Sequence, residues 1–301
     1  MRTGAELTVL AEADWLARRA AHQRRVDEWI RPFRARRRRG QTHPVEDFLF
    51  TYYSFRPARL RRWHPGAGVA LAGAAAQEYL AWGYQTGPYG VSLDTESWLR
   101  RRGESVSHIC RLLVGAAGRA RDLSCFGMHE WAMVYRQPQQ QVRHSGQPLR
   151  MSPEALAGVL EERQLRCSHF DAYRFFTPPA RPLNVLTPTR ERQVDLEQPG
   201  CLHANMDLYK WAYKLSPLVS SDLLADCFAL ARAIRELDMR ASPYDLTDLG
   251  YPPVQVETVE GRQEYAAAQR RFADLAAPLR QRLIDACEQL LSPSDARVSR
   301  R

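Results

Sequence analysis

The segment QPGCLHANMDLYKWAYKLSP, residues 198–217, sets the expected organisation of this chain. After a Pro-Gly turn signal we expect a helix in which His203 and Asp207, four residues apart, share one face. Either Lys210 or Trp211 continues that face, and apolar side chains fill much of the remainder, as in a buried helix. An imidazole and a carboxylate are costly to bury unless they are paired, hydrogen-bonded or bound to metal. The segment therefore predicts either a His–Asp pair that stabilises the core or a helix that lines a site.

Composition limits the classes of protein to consider. The chain has 301 residues, 45% of them hydrophobic, which suits one large domain or two modest ones. No apolar run approaches the roughly 20 residues that span a bilayer, and the N-terminus lacks the apolar stretch of a signal peptide. We therefore expect a cytoplasmic protein without a membrane partner. The six cysteines are scattered without Cys-x-x-Cys spacing, which supports neither a zinc ribbon nor a disulfide framework.

The net charge of +9 is carried mostly by arginine, the preferred residue for forked contacts to phosphate. A basic balance permits nucleic-acid binding but does not establish it. The densest run, RARRRRGQ at residues 34–41, predicts contacts from Arg36, Arg37, Arg38 and Arg39 to a DNA backbone. A solvated helix end is the structural alternative, because basic groups at a helix C-terminus also favour the helix dipole.

Hydrophobic periodicity predicts a mainly α fold: a single helical domain over residues 1–291, with a small β-hairpin and edge-strand elements. The turn Gly87–Gly90 and the following GVSLD predict the hairpin, and VQVET at 254–258 predicts an edge strand. Residues 137–150 are polar and predict a flexible loop, and residues 292–301 predict a disordered tail. Further helices are expected at residues 6–33, 44–55, 95–102, 105–121, 153–163, 220–239 and 260–291, the last with Pro278 as a candidate break.

Four apolar segments each place a histidine near a carboxylate. The pairs are His43 and Glu46, His129 and Glu130, His169 and Asp171, and His203 and Asp207. Adjacent helical residues point about 100° apart, so we expect only one of His129 and Glu130 to face a pocket. Residues 167–175 are compatible with a strand that places His169 and Asp171 on one face, or with a helix that aligns His169 with Tyr173.

These residue types allow two kinds of chemistry. Histidines and carboxylates on facing helices build iron, manganese or zinc sites, although the spacing here reverses the Glu-x-x-His pattern of di-iron proteins. The same groups suit a metal-free hydrolytic pocket, in which a carboxylate stabilises an oxocarbenium ion and a histidine protonates a leaving group. Walker A, Rossmann, nucleophile-elbow and H-E-x-x-H motifs are absent from the sequence, which disfavours nucleotide-driven, nicotinamide and serine-hydrolase chemistry.

The segments HPVEDFLFTYYSFRPARLRRWHPG, CFGMHEWAMVYR, CSHFDAYRFFTPPARPLN and QPGCLHANMDLYKWAYKLSP resemble a bacterial protein family labelled 3-methyladenine DNA glycosylase. The resemblance runs from the N-terminal to the closing helix and so covers nearly the whole chain. It implies excision of alkylated bases from DNA without a redox cofactor. It supplies no catalytic motif, so the site residues are predicted from the chain itself.

The leading expectation is a DNA base-excision glycosylase that removes alkylated purines and needs no cofactor. Its predicted catalytic residues are Asp207, Asp171, His203, His129 and Glu130. Its predicted substrate-binding residues are Tyr52, Tyr53, Trp131, His169, Tyr173, Lys210 and Trp211. One alternative is a helical metalloenzyme, such as a di-iron oxygenase, that binds iron, manganese or zinc through the four His–carboxylate pairs and acts on a small molecule. Another is a DNA-binding protein without enzymatic activity.

Overall fold

The structure, a computed structural model, describes residues 7–292 and confirms the mainly α fold. The α-helices of this part of the chain are α1 Glu12–Arg38, α2 Phe48–Thr51, α3 Pro57–Arg61, α4 Thr95–Ala117, α5 Met128–Ala132, α6 Pro153–Glu161, α7 Phe170–Tyr173, α8 Gln193–Leu196, α9 Leu202–Met206, α10 Leu208–Leu215, α11 Ser221–Arg240 and α12 Val259–Leu291. Short 3-10 helices occupy Ala74–Trp82, Gln139–Gln141, Arg181–Leu183 and Thr247–Leu249. Apart from Ser292, the predicted tail lies outside the described residues.

A four-stranded sheet covers one end of the fold. Its strands are β1 Thr8–Leu10, β2 Val69–Leu71, β3 Tyr84–Gly87 and β4 Gly90–Leu93, in the order β1-β2-β4-β3. The β3–β4 hairpin was predicted, whereas β1 and its parallel partner β2 were not. Gly90 has φ +119°, and a Cβ there would lie 2.2 Å from the carbonyl oxygen of Leu71, so only glycine allows β4 to approach β2.

Long helices build the main layer and bring the site residues together. Helix α12 packs against α4 and α11, and the short helices α9 and α10 lie against α11. Side-chain caps start these helices: Asp94 accepts from Ser97 N, Ser220 from Leu223 N and Thr258 from Gly261 N. Pro278 lies inside α12 without ending it. The buried hydrophobic residues form one cluster that includes both the sheet and the helices.

Several local predictions were wrong. The residues after the Pro-Gly turn do not form one helix: α9 ends at Met206 and α10 begins at Leu208, with Asp207 as the residue between them. Residues 95–121 form one helix instead of two. The first helix begins only at Glu12, because residues 8–10 pair with β2. VQVET forms no strand and ends in the turn that precedes α12.

Two histidine segments also differ from expectation. The helix predicted after His43 is reduced to α2, because His43 Nδ1 accepts the backbone N–H groups of Val45 and Glu46 and closes a turn instead. For residues 167–175 the strand is wrong, and the helical alternative is realised only as α7, with His169 as its extended N-cap. The 137–150 segment buries Val142, and its Leu149 forms a β-bridge with Tyr244.

His64 is a buried histidine that links the sheet to the helices. Its Nδ1 lies 3.0 Å from the hydroxyl of Tyr84, and the two rings stack with centroids 5.9 Å apart. Burial, with a smaller contribution from Arg62, lowers the pKa of His64 from 6.5 to about 4. The neutral imidazole is therefore the form that the folded protein favours.

We expect acid to destabilise the fold through His64. Between pH 6.5 and 4 His64 binds a proton in the unfolded chain but stays neutral in the folded protein. The free energy of unfolding therefore falls as the pH falls, by up to about 3 kcal/mol. His144 and His203, whose pKa values burial lowers to about 4 and about 3, act in the same direction.

The measurement is urea unfolding of wild type and His64→Gln from pH 4 to 8. Glutamine keeps a hydrogen-bonding group near Tyr84 but does not titrate, so the variant should lose less stability below pH 6.5. Equal pH slopes for the two proteins would contradict this role of His64.

Candidate functional site

Three imidazoles lie together at the base of a narrow cleft. His203 on α9 lies between His129 on α5 and His169 before α7, with ring centroids 4.4 and 5.4 Å away respectively. The cleft is lined by Phe48, Tyr52, Tyr53, Glu130, Met133, Arg143, His169, Asp171, Phe175, His203 and Asp207. Its volume of about 10 Å³ is enough for about one water molecule.

On one side of His203 lies the Asp238 cluster, which consists of His129, Asp238, Arg235 and Glu130. His129 Nε2 lies 2.7 Å from Asp238 Oδ1, and Arg235 Nη1 donates to Asp238 Oδ2 at 2.9 Å and to Glu130 Oε1 at 3.1 Å. On the other side of the His129 ring, Nδ1 lies 3.6 Å from Cys125 Sγ. Although burial opposes both charges, the pairing holds the pKa of Asp238 well below its usual range and raises that of His129.

On the other side of His203 lies the Asp207 cluster, centred on the junction of α9 and α10. Asp207 accepts hydrogen bonds from the Tyr53 hydroxyl at 2.8 Å, from His169 Nε2 at 3.2 Å and from the Lys210 ammonium. Lys210 Nζ also donates to Asp171 Oδ2 at 2.8 Å. Burial opposes the Asp207 charge, but Lys210 and His169 outweigh it and depress the pKa of Asp207. Asp207 is therefore a fixed anion and a poor general base.

Glu197 completes the Asp207 cluster from the loop before α9. Its Oε1 lies 3.3 Å from His169 Nε2 and accepts from Gln193 Nε2 at 2.5 Å. Burial raises the pKa of Glu197, although His169 opposes the shift. His169 Nε2 thus lies between two carboxylates, while its Nδ1 has no hydrogen-bond partner among the described residues.

The two clusters contain more buried negative charge than fixed positive charge. Their fixed cations are Lys210 and Arg235. Their buried carboxylates are Glu130, Glu197, Asp207 and Asp238, whereas Asp171 is part-exposed and pairs with Arg174 as well as with Lys210. The excess of two must be balanced by protons on imidazole or carboxyl groups or by a bound cation, because unbalanced buried charge is too costly.

His203 differs from the two other imidazoles because its ring forms no hydrogen bond within residues 7–292. Burial and the neighbouring His129 lower the pKa of His203 to about 3, so its ring is neutral and offers a free nitrogen lone pair. One ligand atom each from His129, His203 and Asp238 lie within 4.8 Å of one another, and the same holds for His169, Glu197 and Asp207.

The first of these groups fits a metal ion better than the second. In the second, Asp207 Oδ2 already accepts from both His169 and the Lys210 ammonium, which would lie against the ion. In the first, the fixed cation Arg235 holds Asp238 Oδ2 and leaves Oδ1 facing His129. Two histidines and one carboxylate are a common ligand combination for zinc and non-haem iron.

Two larger grooves adjoin the cleft. The Trp211 groove, of about 640 Å³, shares Tyr52, Tyr53 and Asp171 with the cleft. The His144 groove, of about 650 Å³, shares Phe48, Tyr52, Arg143 and Phe175 with it. Tyr52 lines the cleft and both grooves.

Most of the predicted site residues meet here, but some do not. Trp131 is fully buried, and its indole N–H donates to the carbonyl of Ala241, so it cannot contact a substrate. Tyr173 packs on Phe176 and does not line the cleft, whereas Trp211 lines the groove named after it. Of the adjacent pair, Glu130 lines the cleft and His129 lies behind it.

His43, Glu46 and the arginine run lie away from both clusters. His43 closes its turn, and Glu46 Oε2 pairs with Arg36 Nη1 at 3.3 Å. Arg36 also pairs with Asp47 at 2.5 Å, so its guanidinium is already engaged by two carboxylates and is not free for a phosphate. Arg37 to Arg39 are exposed at the end of α1.

Sequence reasoning missed four residues of the site, namely Asp238, Arg235, Glu197 and Arg143. Asp238 and Arg235 interrupt the apolar inward face of α11. Charged residues on the apolar face of a helix can be recognised in the sequence and indicate a buried polar site. Glu197 and Arg143 lie in loops where no periodicity marks an inward-facing residue.

Comparisons with models of protein families, with curated proteins and with solved structures found no match to this chain. The glycosylase resemblance therefore stays a prediction. Within residues 7–292, no helix is long and apolar enough to cross a membrane.

We expect Arg235→Met to destabilise the protein by about 3–5 kcal/mol, because it leaves Asp238 and Glu130 buried without their cation. The matched control is Arg282→Met on α12, whose exposed pair with Asp226 should contribute at most about 1 kcal/mol. Urea unfolding of both variants measures the difference. Similar losses for the two would show that the Asp238 cluster does not depend on its cation.

Proposed function

We propose that this protein is a metal-dependent enzyme whose ion is held by His129, His203 and Asp238. The observation that carries the proposal is the proximity of three ligand atoms within 4.8 Å, one of them on a neutral imidazole without a hydrogen-bond partner in the described chain. A three-residue ligand group leaves coordination positions for water or substrate, as catalytic sites require. His203 also lines the cleft, which supports substrate access from that side.

The contacts behind the ligands support the proposal. Arg235 orients the Asp238 carboxylate through its second oxygen, and Cys125 lies against the second nitrogen of His129. Partners of this kind fix the direction of metal ligands and tune their basicity. His129 Nε2 lies 2.7 Å from Asp238, and this pairing raises the pKa of His129, so ion binding would displace a proton and make affinity rise with pH.

The Asp207 cluster would serve the substrate. Tyr53 and Lys210 surround Asp207, while Asp171 faces both the cleft and the Trp211 groove. Their hydrogen-bonding groups are held in fixed positions, which suits the orientation of a polar substrate beside the ion. When bound, the ion would supply Lewis-acid chemistry or an activated water. Iron, manganese and zinc all suit the ligands.

We expect purified wild-type protein to contain about one equivalent of iron, manganese or zinc, by elemental analysis. His203→Gln and Asp238→Asn should each lower this content at least about tenfold, because each removes one of three ligands. His43→Gln is the matched control, since His43 lies in a turn outside both clusters, and it should keep the metal.

Circular dichroism would confirm that the four proteins are folded. Metal content that is unchanged in His203→Gln and Asp238→Asn would place the ion elsewhere. Wild-type protein that stays metal-free after incubation with each of the three ions would contradict the proposal altogether.

A second candidate is the base-excision glycosylase, and the Trp211 groove favours it. Tyr52, Trp211 and Tyr213 offer flat surfaces that could stack on a base, and Asp171 in the same groove offers a carboxylate to stabilise a glycosyl cation. Basic side chains, among them Arg174, line the same groove and would meet DNA phosphates.

This second candidate expects chelator-treated protein to release alkylated purines from methylated DNA. Asp171→Asn should slow release by about 100-fold, because the carboxylate would stabilise charge in the transition state. Asp274→Asn, an exposed carboxylate paired with Arg121, is the control and should change nothing. Chromatography of the released bases measures the rate, and no release by wild type would remove this candidate.

A further inference from the structure

A further cavity, the Trp82 cavity, lies next to the Trp211 groove and has a volume of about 490 Å³. It shares Ser54, Arg102, Tyr213 and Lys214 with that groove. It contains none of the residues of the Asp238 or Asp207 clusters, so it is a separate feature of the molecule. Its volume falls within the range of small-molecule sites.

The charged side chains around the Trp82 cavity are all cationic. Arg59, Arg62, Arg102 and Lys214 line it, and its lining includes no carboxylate. None of the four lies within 4.0 Å of a carboxylate oxygen in the described part of the chain, in contrast to Arg61 and Arg100 nearby, which are paired with Asp27 and Glu96. Several unpaired cations in one concavity focus positive potential and attract an anion.

The cavity also offers flat aromatic surfaces. Trp82 and Trp98 line it, and the Arg62 guanidinium lies 4.2 Å from the centroid of Trp82. The indole nitrogen of Trp98 is buried and has no hydrogen-bond partner among the described residues. That nitrogen lies against Gly83, so Trp98 can offer the cavity a ring surface but not its N–H group.

We propose that the Trp82 cavity binds a phosphate-bearing aromatic ligand of nucleotide size. Arginine matches the geometry of phosphate through forked hydrogen bonds, and three arginines converge here. Trp82 and Trp98 supply stacking surfaces for a heterocycle. The ligand is either a free nucleotide or one nucleotide of a single strand, because both present the same phosphate and base.

The test is isothermal titration calorimetry of the protein with adenosine 5′-monophosphate, adenosine, inorganic phosphate and a short single-stranded oligoadenylate. We expect the mononucleotide or the oligonucleotide to bind at least about tenfold more tightly than adenosine or phosphate alone. Arg62→Gln and Arg102→Gln should each weaken that binding by about tenfold or more. Arg100→Gln, on the same helix as Arg102 but paired with Glu96, should have no effect.

The two sources are separated by chain length. An oligonucleotide that binds more tightly than the mononucleotide, with affinity that falls as salt rises, supports the single strand. Equal affinities support the free nucleotide. Absence of binding, or binding that Arg62→Gln and Arg102→Gln leave unchanged, overturns the proposal.

Binding should persist in Asp238→Asn, because the cavity shares no residue with the proposed ion ligands. Loss of metal in that variant with nucleotide affinity retained would show that the Trp82 cavity binds its ligand independently of the ion site.

Discussion

The structure depends on the burial of four carboxylates around three imidazoles, with Lys210 and Arg235 as the buried cations beside them. A His–Asp pair that only stabilised a core would need one partner for each charge. Here Asp207 alone meets Tyr53, His169 and Lys210, and Asp238 meets His129 and Arg235. This concentration of charge brings α5, α7, α9, α10 and α11 to one point, and its cost indicates a functional reason for keeping it.

His203 connects the charge balance to the proposed chemistry. It lies between two imidazoles whose pKa values are raised, yet burial and His129 keep its own ring neutral. A neutral imidazole beside a His–Asp pair is prepared to bind a cation without first losing a proton. The Asp207 cluster lacks this feature, because Lys210 already occupies the position next to its shared carboxylate oxygen.

Features that depend on local sequence could be predicted. The β3–β4 hairpin follows from its glycine turn. Helix α11 begins directly after Ser220, whose hydroxyl accepts the backbone N–H of Leu223. The polar residues of 198–217 also identified the region of the site, because a charge inside an apolar segment needs a nearby partner. For the neighbouring His129 the sequence could not name the partner, because Asp238 lies 109 residues away along the chain.

Features that depend on distant contacts were missed or mistaken. Strands β1 and β2 have three residues each and exist only because they pair across about 60 residues of chain. His43 and Glu46 have a plausible ligand spacing, but the His43 side chain is used by the backbone of its own turn. Trp131 looked available for stacking, although its indole nitrogen is committed to Ala241.

The most direct test of the central claim is anomalous diffraction from crystals of the metal-loaded protein. The account predicts one anomalous peak about 2.0–2.2 Å from His129 Nε2, a ring nitrogen of His203 and a carboxylate oxygen of Asp238. A peak between His169, Glu197 and Asp207, or no peak with His129 still hydrogen-bonded to Asp238, would contradict it.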